Sequence, residues 1–172
     1  MNGPVLASLI PVISYPTGDY VASAKASLRM MEVMSPDPAD ILRPFVQSLA
    51  GQTIGEMEEA YIRTFDLNPD ASLDLGWHLY GETYDRGRFL VEMRQMLAEA
   101  GVAESSELPD NLTHLLALLP LLPDEQADEL AERCLPAIRK IVAQLEEGKS
   151  SYFNVLSCVL QLLQTQPERQ RN

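Results

Sequence analysis

Basic side chains are scarce in this 172-residue chain: 13 Lys and Arg stand against 25 Asp and Glu, a formal net charge of −12. A general surface of that sign is a poor partner for nucleic acid or anionic lipid. Cysteine occurs twice, at Cys134 and Cys158, each inside an apolar helical pattern, which reads as two buried thiols rather than a disulfide or a metal pair. No apolar run reaches the ~18 residues of a membrane helix, because Pro11, Ser14 and Pro16 interrupt the first one. The opening MNGPVLASLI has no Lys or Arg, so a secretory signal would lack its charged start, and a cytoplasmic, soluble protein without direct membrane insertion is expected. No Gly-x-Ser-x-Gly elbow and no His-Glu-x-x-His motif occurs, and there are only two histidines. Alternation of apolar and polar residues between hairpin turns is missing as well.

Present almost everywhere is helical spacing. Val5, Leu6, Leu9, Ile10 and Ile13 mark a short first helix stopped by Tyr15-Pro16, and Thr17 is placed to cap a second that runs to about Met34. The SPDP run at Ser35 to Pro38 reads as a turn, with Arg43-Pro44 near the start of a third helix. Thr53-Ile-Gly-Glu56 is a capping-box pattern, opening a helix that presents Ile54, Met57, Tyr61 and Phe65. Asn68-Pro69-Asp70 signals a turn, and ASLDLGWHLYG then predicts a largely buried central helix ended by a left-handed Gly81. Asp85 is placed to cap the next helix, which carries Phe89, Leu90, Met93, Met96 and Leu97 and ends at Gly101. Asp110 is placed to cap the Leu112, Leu115, Leu116, Leu119 stripe. Leu130, Cys134, Ile138, Ile141 and Leu145 mark a further helix containing Pro136, and Tyr152 to Leu163 a last one. The expectation is an all-α, single-domain bundle of about eight or nine helices over residues 1–165, with 166–172 a polar tail.

Charge and aromatic residues concentrate together. Between Glu56 and Glu132 stand 18 acids and 4 arginines, a local balance of −14, while the rest of the chain is slightly basic. Tyr61, Phe65, Trp77, Tyr80, Tyr84 and Phe89, six of the eleven aromatic residues, fall in the same region. An apolar, aromatic groove with an acidic rim suits a basic amphipathic peptide, although core packing and a solvated acidic helix face explain many of these residues equally well. Exposed apolar grooves also permit self-association, so a monomer or weak homodimer is expected. A competing reading is a small helical metal-binding protein or hydrolase. His78 and Glu82 are four apart on one helix face, with Asp66, Asp70 and Asp74 nearby and His114 farther along the chain. The same spacing is what caps and solvated turns produce, and neither cysteine has the exposed, basic setting of a nucleophile.

The block YIRTFDLNPDASLDLGWHLYGETYDRGRFLVEMRQMLAEAGV, the following ELPDNLTHLLALLP and the opening LIPVISYPTGDY resemble the NarJ family, the nitrate reductase delta subunit chaperones, which are similar to the TorD and DmsD chaperones. The resemblance runs from about Leu6 to Leu122. It implies a TorD-like, all-helical cytoplasmic chaperone with no catalytic activity and no stably bound cofactor. Such a protein holds the N-terminal peptide of a molybdoenzyme catalytic subunit, most often a respiratory nitrate reductase, while bis-molybdopterin guanine dinucleotide is inserted. Carried over by position, the family's Phe-Asp-Leu corner falls on Phe65, Asp66 and Leu67. Its helix-and-turn motif falls on His78, Tyr80, Gly81, Asp85, Arg86, Gly87 and Arg88. Its Leu-Pro-Asp-His loop falls on Leu108, Pro109, Asp110 and Asn111, where asparagine replaces the histidine. With Tyr61 from the aromatic cluster, these are the candidate peptide-binding or hinge residues.

Overall fold

The computed structural model describes residues 2–165, so the polar tail expected at 166–172 lies outside the described residues. Nine α-helices occur among them: α1 Gly3–Leu9, α2 Tyr20–Met34, α3 Pro36–Ser48, α4 Ile54–Tyr61, α5 Leu75–Tyr80, α6 Tyr84–Glu99, α7 Leu112–Leu118, α8 Asp124–Glu147 and α9 Tyr152–Gln164. A π turn, Ile62–Asp66, extends α4, and 3-10 turns at Pro69–Ala71 and Leu119–Leu121 flank α5 and follow α7. No described helix is long and apolar enough to cross a membrane.

The core is one contiguous apolar cluster. α3 packs on α2 and α9, α8 on α9 and α5, and α1 on α2 and α7. Leu6, Leu9, Phe45, Phe89, Met93, Leu97, Leu112 and Leu115 are fully enclosed. Cys134 and Cys158 are free, buried thiols whose pKa burial pushes up to about 12, which makes both inert at neutral pH.

Several helix boundaries differ from the sequence expectation, each for a local reason. Ser35 to Pro38 begins α3 instead of forming a turn. Pro36 sits at its first position, where the missing N–H is one the helix would leave free anyway. Pro44 consequently falls inside α3 rather than near its start. α2 begins after Asp19, and Thr17 contributes its backbone carbonyl to Tyr20 N–H instead of a side-chain cap. The Thr53–Glu56 capping box is present in both directions, at 3.2 and 2.7 Å. Thr83, not Asp85, caps α6 by accepting from Arg86 N–H, and Asp85 lies exposed in the first turn, where its charge favours the helix dipole.

The largest revision concerns α5. It has six residues, only Leu75 and Gly76 are buried, and Trp77 to Tyr80 are half-buried. The helix cannot begin earlier because the chain ahead of it is extended and pinned to the segment before α7. Leu75 N–H donates to the Asp110 carbonyl (2.9 Å) and Leu112 N–H to the Leu73 carbonyl (2.8 Å). Gly81 ends α5 with φ 62° and ψ −152°, a positive-φ conformation outside the left-handed helical well that only glycine adopts easily.

Candidate functional site

Where the extended segment Leu73–Asp74 crosses Asp110–Asn111, the crossing holds a buried ionic group. Asp110 has no exposed surface; its Oδ2 accepts from Gly76 N–H at 3.0 Å and lies 3.5 Å from Arg86 Nε. Arg86 also approaches Asp74 at 4.0 Å and lies 5.8 Å from the centre of the Trp77 ring. Burial and the nearby Asp74 charge push the Asp110 pKa up, while Arg86 and the Gly76 amide pull it down. A Cβ on Gly76 would stand 2.5 Å from Asp110 Oδ2 and 2.9 Å from the Phe89 ring, so only glycine permits this approach.

Asp110 is therefore not the cap of α7. Asn111 is: its Oδ1 accepts from Thr113 N–H (3.0 Å) and Thr113 Oγ1 (2.8 Å), while its Nδ2 donates to Asp74 Oδ1 (3.1 Å). One asparagine thus closes a helix and a crossing together, a role that needs both a donor and an acceptor on the same side chain. His114 stands one turn on and is fully engaged. Its Nδ1–H donates to the Leu108 carbonyl at 2.8 Å, and its Nε2 accepts from Ser105 N–H at 3.0 Å. That pair ties the loop between α6 and α7 to α7.

The aromatic residues do not form one wall. Tyr61 and Phe65 belong to a cluster with Tyr15, Phe45 and Tyr152, with centroid separations from 4.8 to 6.2 Å. Tyr80 packs against Phe89 at 5.5 Å in a second cluster, capped by Arg133, which lies 4.7 Å from the Phe89 ring, donates to Tyr80 Oη and forks onto Glu92. Tyr84 stays exposed. Arg88 is exposed, beside Tyr84 and Val91 on the outer face of α6, and joins no ion pair among the described residues. Pro109 is buried ahead of Asp110.

His78 Nε2–H donates to the Ser72 carbonyl at 2.6 Å, and burial lowers its pKa. Glu82 is exposed, and no group of three or more His, Cys, Asp or Glu side chains able to hold a metal occurs among the described residues.

Beside the crossing lies a cleft of about 350 Å³ between the end of α1, Tyr61 of α4, the α6–α7 loop and α7. Tyr15, Tyr61, Val102, Glu107, Asn111 and His114 are among its lining residues, and no Lys or Arg is. Tyr15 is half exposed and meets Tyr61 edge to face at 5.7 Å. The π turn at Ile62–Asp66, closed by Leu67 N–H on the Ile62 carbonyl at 2.9 Å, buries Phe65 and turns Asp66 out to solvent. Burial, then the charges of Asp74 and Asp66, raise the Glu107 pKa, and His114 opposes them. Burial together with Glu107, Asp66 and Asp74 raises that of Tyr61. Sequence reasoning had passed over Glu107 and Tyr15 as participants. The only hint at Tyr15 was Pro16, which holds the residue before it extended.

The sequence model of the family described as nitrate reductase delta subunit matches residues 32–155. The chain is 27% identical over 125 residues to the probable nitrate reductase molybdenum cofactor assembly chaperone NarW of Escherichia coli (strain K12), covering 72% of this chain and 54% of that protein. It is 29% identical over 130 residues to the nitrate reductase molybdenum cofactor assembly chaperone NarJ of the same strain, covering 75% of this chain and 55% of that protein. The chain thus spans about half the length of the curated relatives it matches.

Proposed function

The chain belongs to the nitrate reductase delta subunit family, and from that premise we propose that it is a molybdenum cofactor assembly chaperone for a nitrate reductase. In this reading it binds the N-terminal segment of the catalytic subunit and keeps that subunit open while bis-molybdopterin guanine dinucleotide enters. It does no bond-making chemistry of its own and works in the cytoplasm. The observation that carries the reading is the cleft walled by Tyr15 and Tyr61 with acidic surroundings; its α4, α6–α7 loop and α7 walls fall inside the family-matched residues, while Ile10, Ser14 and Tyr15 precede them. Tyr61, Phe65 and Asp66 are assigned to peptide binding. His78, Tyr80, Gly81, Asp85, Arg86, Arg88, Pro109 and Asp110 are assigned to the hinge that sets the shape of this surface.

The fixed elements support this division. The buried crossing locks α5 to the start of α7, while the neighbouring loop rests on a few bonds to His114 and the exposed Arg94–Glu104 ion pair. Elements held by few contacts are those that can move to admit a chain. The test is co-expression of a nitrate reductase catalytic subunit with and without this chain. Capture of the catalytic subunit on the tagged chain and a higher molybdenum content per catalytic subunit are expected. Equal molybdenum in both preparations, with no capture, would overturn the reading.

A further inference from the structure

We propose that the cleft between Tyr15, Tyr61 and the α6–α7 loop is a subsite for one cationic side chain, arginine above lysine, of a bound peptide segment. The identity of that segment's owner rests on the chaperone reading; the chemistry of the subsite does not. The argument starts from charge. Glu58, Asp66 and Glu107 form no ion pair among the described residues, although all three act electrostatically on the cleft's tyrosines. The nearest arginines in sequence are engaged elsewhere: Arg63 with Glu59 at 3.6 Å, Arg94 with Glu104 at 3.1 Å, and Arg86 with Asp74 and Asp110. Both ring nitrogens of His114 are already engaged, Nε2 accepting from Ser105 N–H and Nδ1–H donating to the Leu108 carbonyl, so the imidazole forms no hydrogen bond to Glu107. Among the described residues the cleft is therefore negative on balance and is lined by no Lys or Arg.

Its walls add a second requirement. Tyr15 and Tyr61 meet edge to face, with Tyr15 half exposed, and Val102 and Ile10 supply apolar floor. A carboxylate beside a partly exposed tyrosine face suits a flat guanidinium, which stacks on the ring and forks onto the carboxylate, more than a compact ammonium. The volume of about 350 Å³ accommodates one long side chain with its methylene stem and part of a neighbouring apolar residue. Burial first, and then repulsion from Asp74 and Asp66, raise the Glu107 pKa, and a cation in the cleft would relieve the second of these.

A second acidic cleft, between α6 and α8, provides the internal control. It is lined by Glu92, Glu99 and Glu129 over Met96 and Leu130, but Arg133 already sits in it, bonded to Glu92. Negative charge alone would favour either cleft; an unneutralised one beside exposed tyrosine favours only the first.

The experiment titrates acetyl-arginyl-leucinamide into the full ¹⁵N-labelled chain, with the isosteric citrulline dipeptide as the neutral comparison. Expected are amide shifts at Ser14, Tyr15, Tyr61 and residues 102–107, and binding about fivefold weaker for citrulline, the scale of an exposed ion pair plus a cation–π contact. Asp66→Asn with Glu107→Gln should bring arginine down to the citrulline level, whereas Glu99→Gln with Glu129→Gln should leave it unchanged. Equal binding of the two dipeptides would mark a purely apolar site. Shifts centred on α6 and α8, concentration-dependent shifts without peptide (a second copy in the cleft), or no binding at all would equally overturn the proposal. Arginine preference without capture of a catalytic subunit would instead remove the chaperone reading and leave the subsite standing.

Discussion

Two groups of carboxylates stand side by side in this protein and have opposite fates. Asp74 and Asp110 are drawn onto Arg86, a backbone amide and Asn111, and they hold the chain crossing together. Glu107 lines the neighbouring cleft, Glu58 and Asp66 act on its tyrosines, and none of the three has an ion-pair partner among the described residues. The difference is not composition but commitment: the first group is engaged inside the fold, although Asp110 Oδ1 and Arg86 Nε lack a hydrogen-bond partner there, and the second has no ion-pair partner among the described residues. Removing a member of the first should cost stability, and removing a member of the second should cost recognition only.

The strongest way to break that contrast is to take away the buried cation. Arg86→Ala leaves the Asp110 carboxylate enclosed and unpaired, and a loss of about 3 kcal/mol is expected in urea unfolding. A loss near zero would mean that Asp110 is already neutral through its raised pKa. Gly76→Ala comes next. The new methyl would press on Asp110 Oδ2 and the Phe89 ring, at a cost of about 1–3 kcal/mol. Asn111→Ala removes the α7 cap and the bond to Asp74 together, and about 1 kcal/mol is expected, with Asn111→Asp keeping the cap but placing a second negative charge against Asp74. Glu107→Gln, at the cleft, should change stability by less than about 0.5 kcal/mol, since its side chain is exposed and unpaired.

A smaller effect separates His78 from the carboxylates by sign. Burial lowers its pKa below the usual ~6.5, so the folded protein binds fewer protons there than the unfolded chain. Its contribution is complete above about pH 6.5 and is lost as the pH falls through the lowered pKa. Asp110 and Glu107 run the other way: their raised pKa values favour the folded state at low pH, and that contribution fades as the pH rises past the ordinary carboxylate range. Melting temperatures of the parent and His78→Gln between pH 5 and 8 should converge at the acid end and differ at the neutral end.

The helical architecture was legible in the sequence because periodic apolar residues and local caps act within a few positions. Thr53 and Glu56 are three apart and the capping box formed as read. Ser35 to Pro38 was misread because proline both breaks and begins helices, and only the packing of α3 on α2 and α9 decides between them. Asp110 and Asn111 look interchangeable as caps. The choice between them depends on Gly76 and Arg86, which lie 34 and 24 positions back, and no local pattern carries that information. The cleft was half visible: its acidic balance and Tyr61 could be read directly. The π turn that exposes Asp66, and the loop that brings in Glu107, required the fold.

Salt offers a further contrast between the two carboxylate groups. Screening reaches exposed charges beyond about 8 Å at physiological ionic strength, so added salt should slow association of a basic segment with the cleft while leaving the buried crossing intact. Stopped-flow binding alongside unfolding curves, each from low salt to about half molar, should show association slowing while the unfolding midpoint holds.

The most direct test of the division is a single variant, Asp66→Asn with Glu107→Gln, measured for both melting temperature and capture of a co-expressed nitrate reductase catalytic subunit. The predicted result is a melting temperature within a degree or two of the parent, roughly what a change under ~0.5 kcal/mol allows, together with markedly weaker capture. Undiminished capture, or weaker capture accompanied by an equal loss of fold, would contradict the assignment of these carboxylates to recognition.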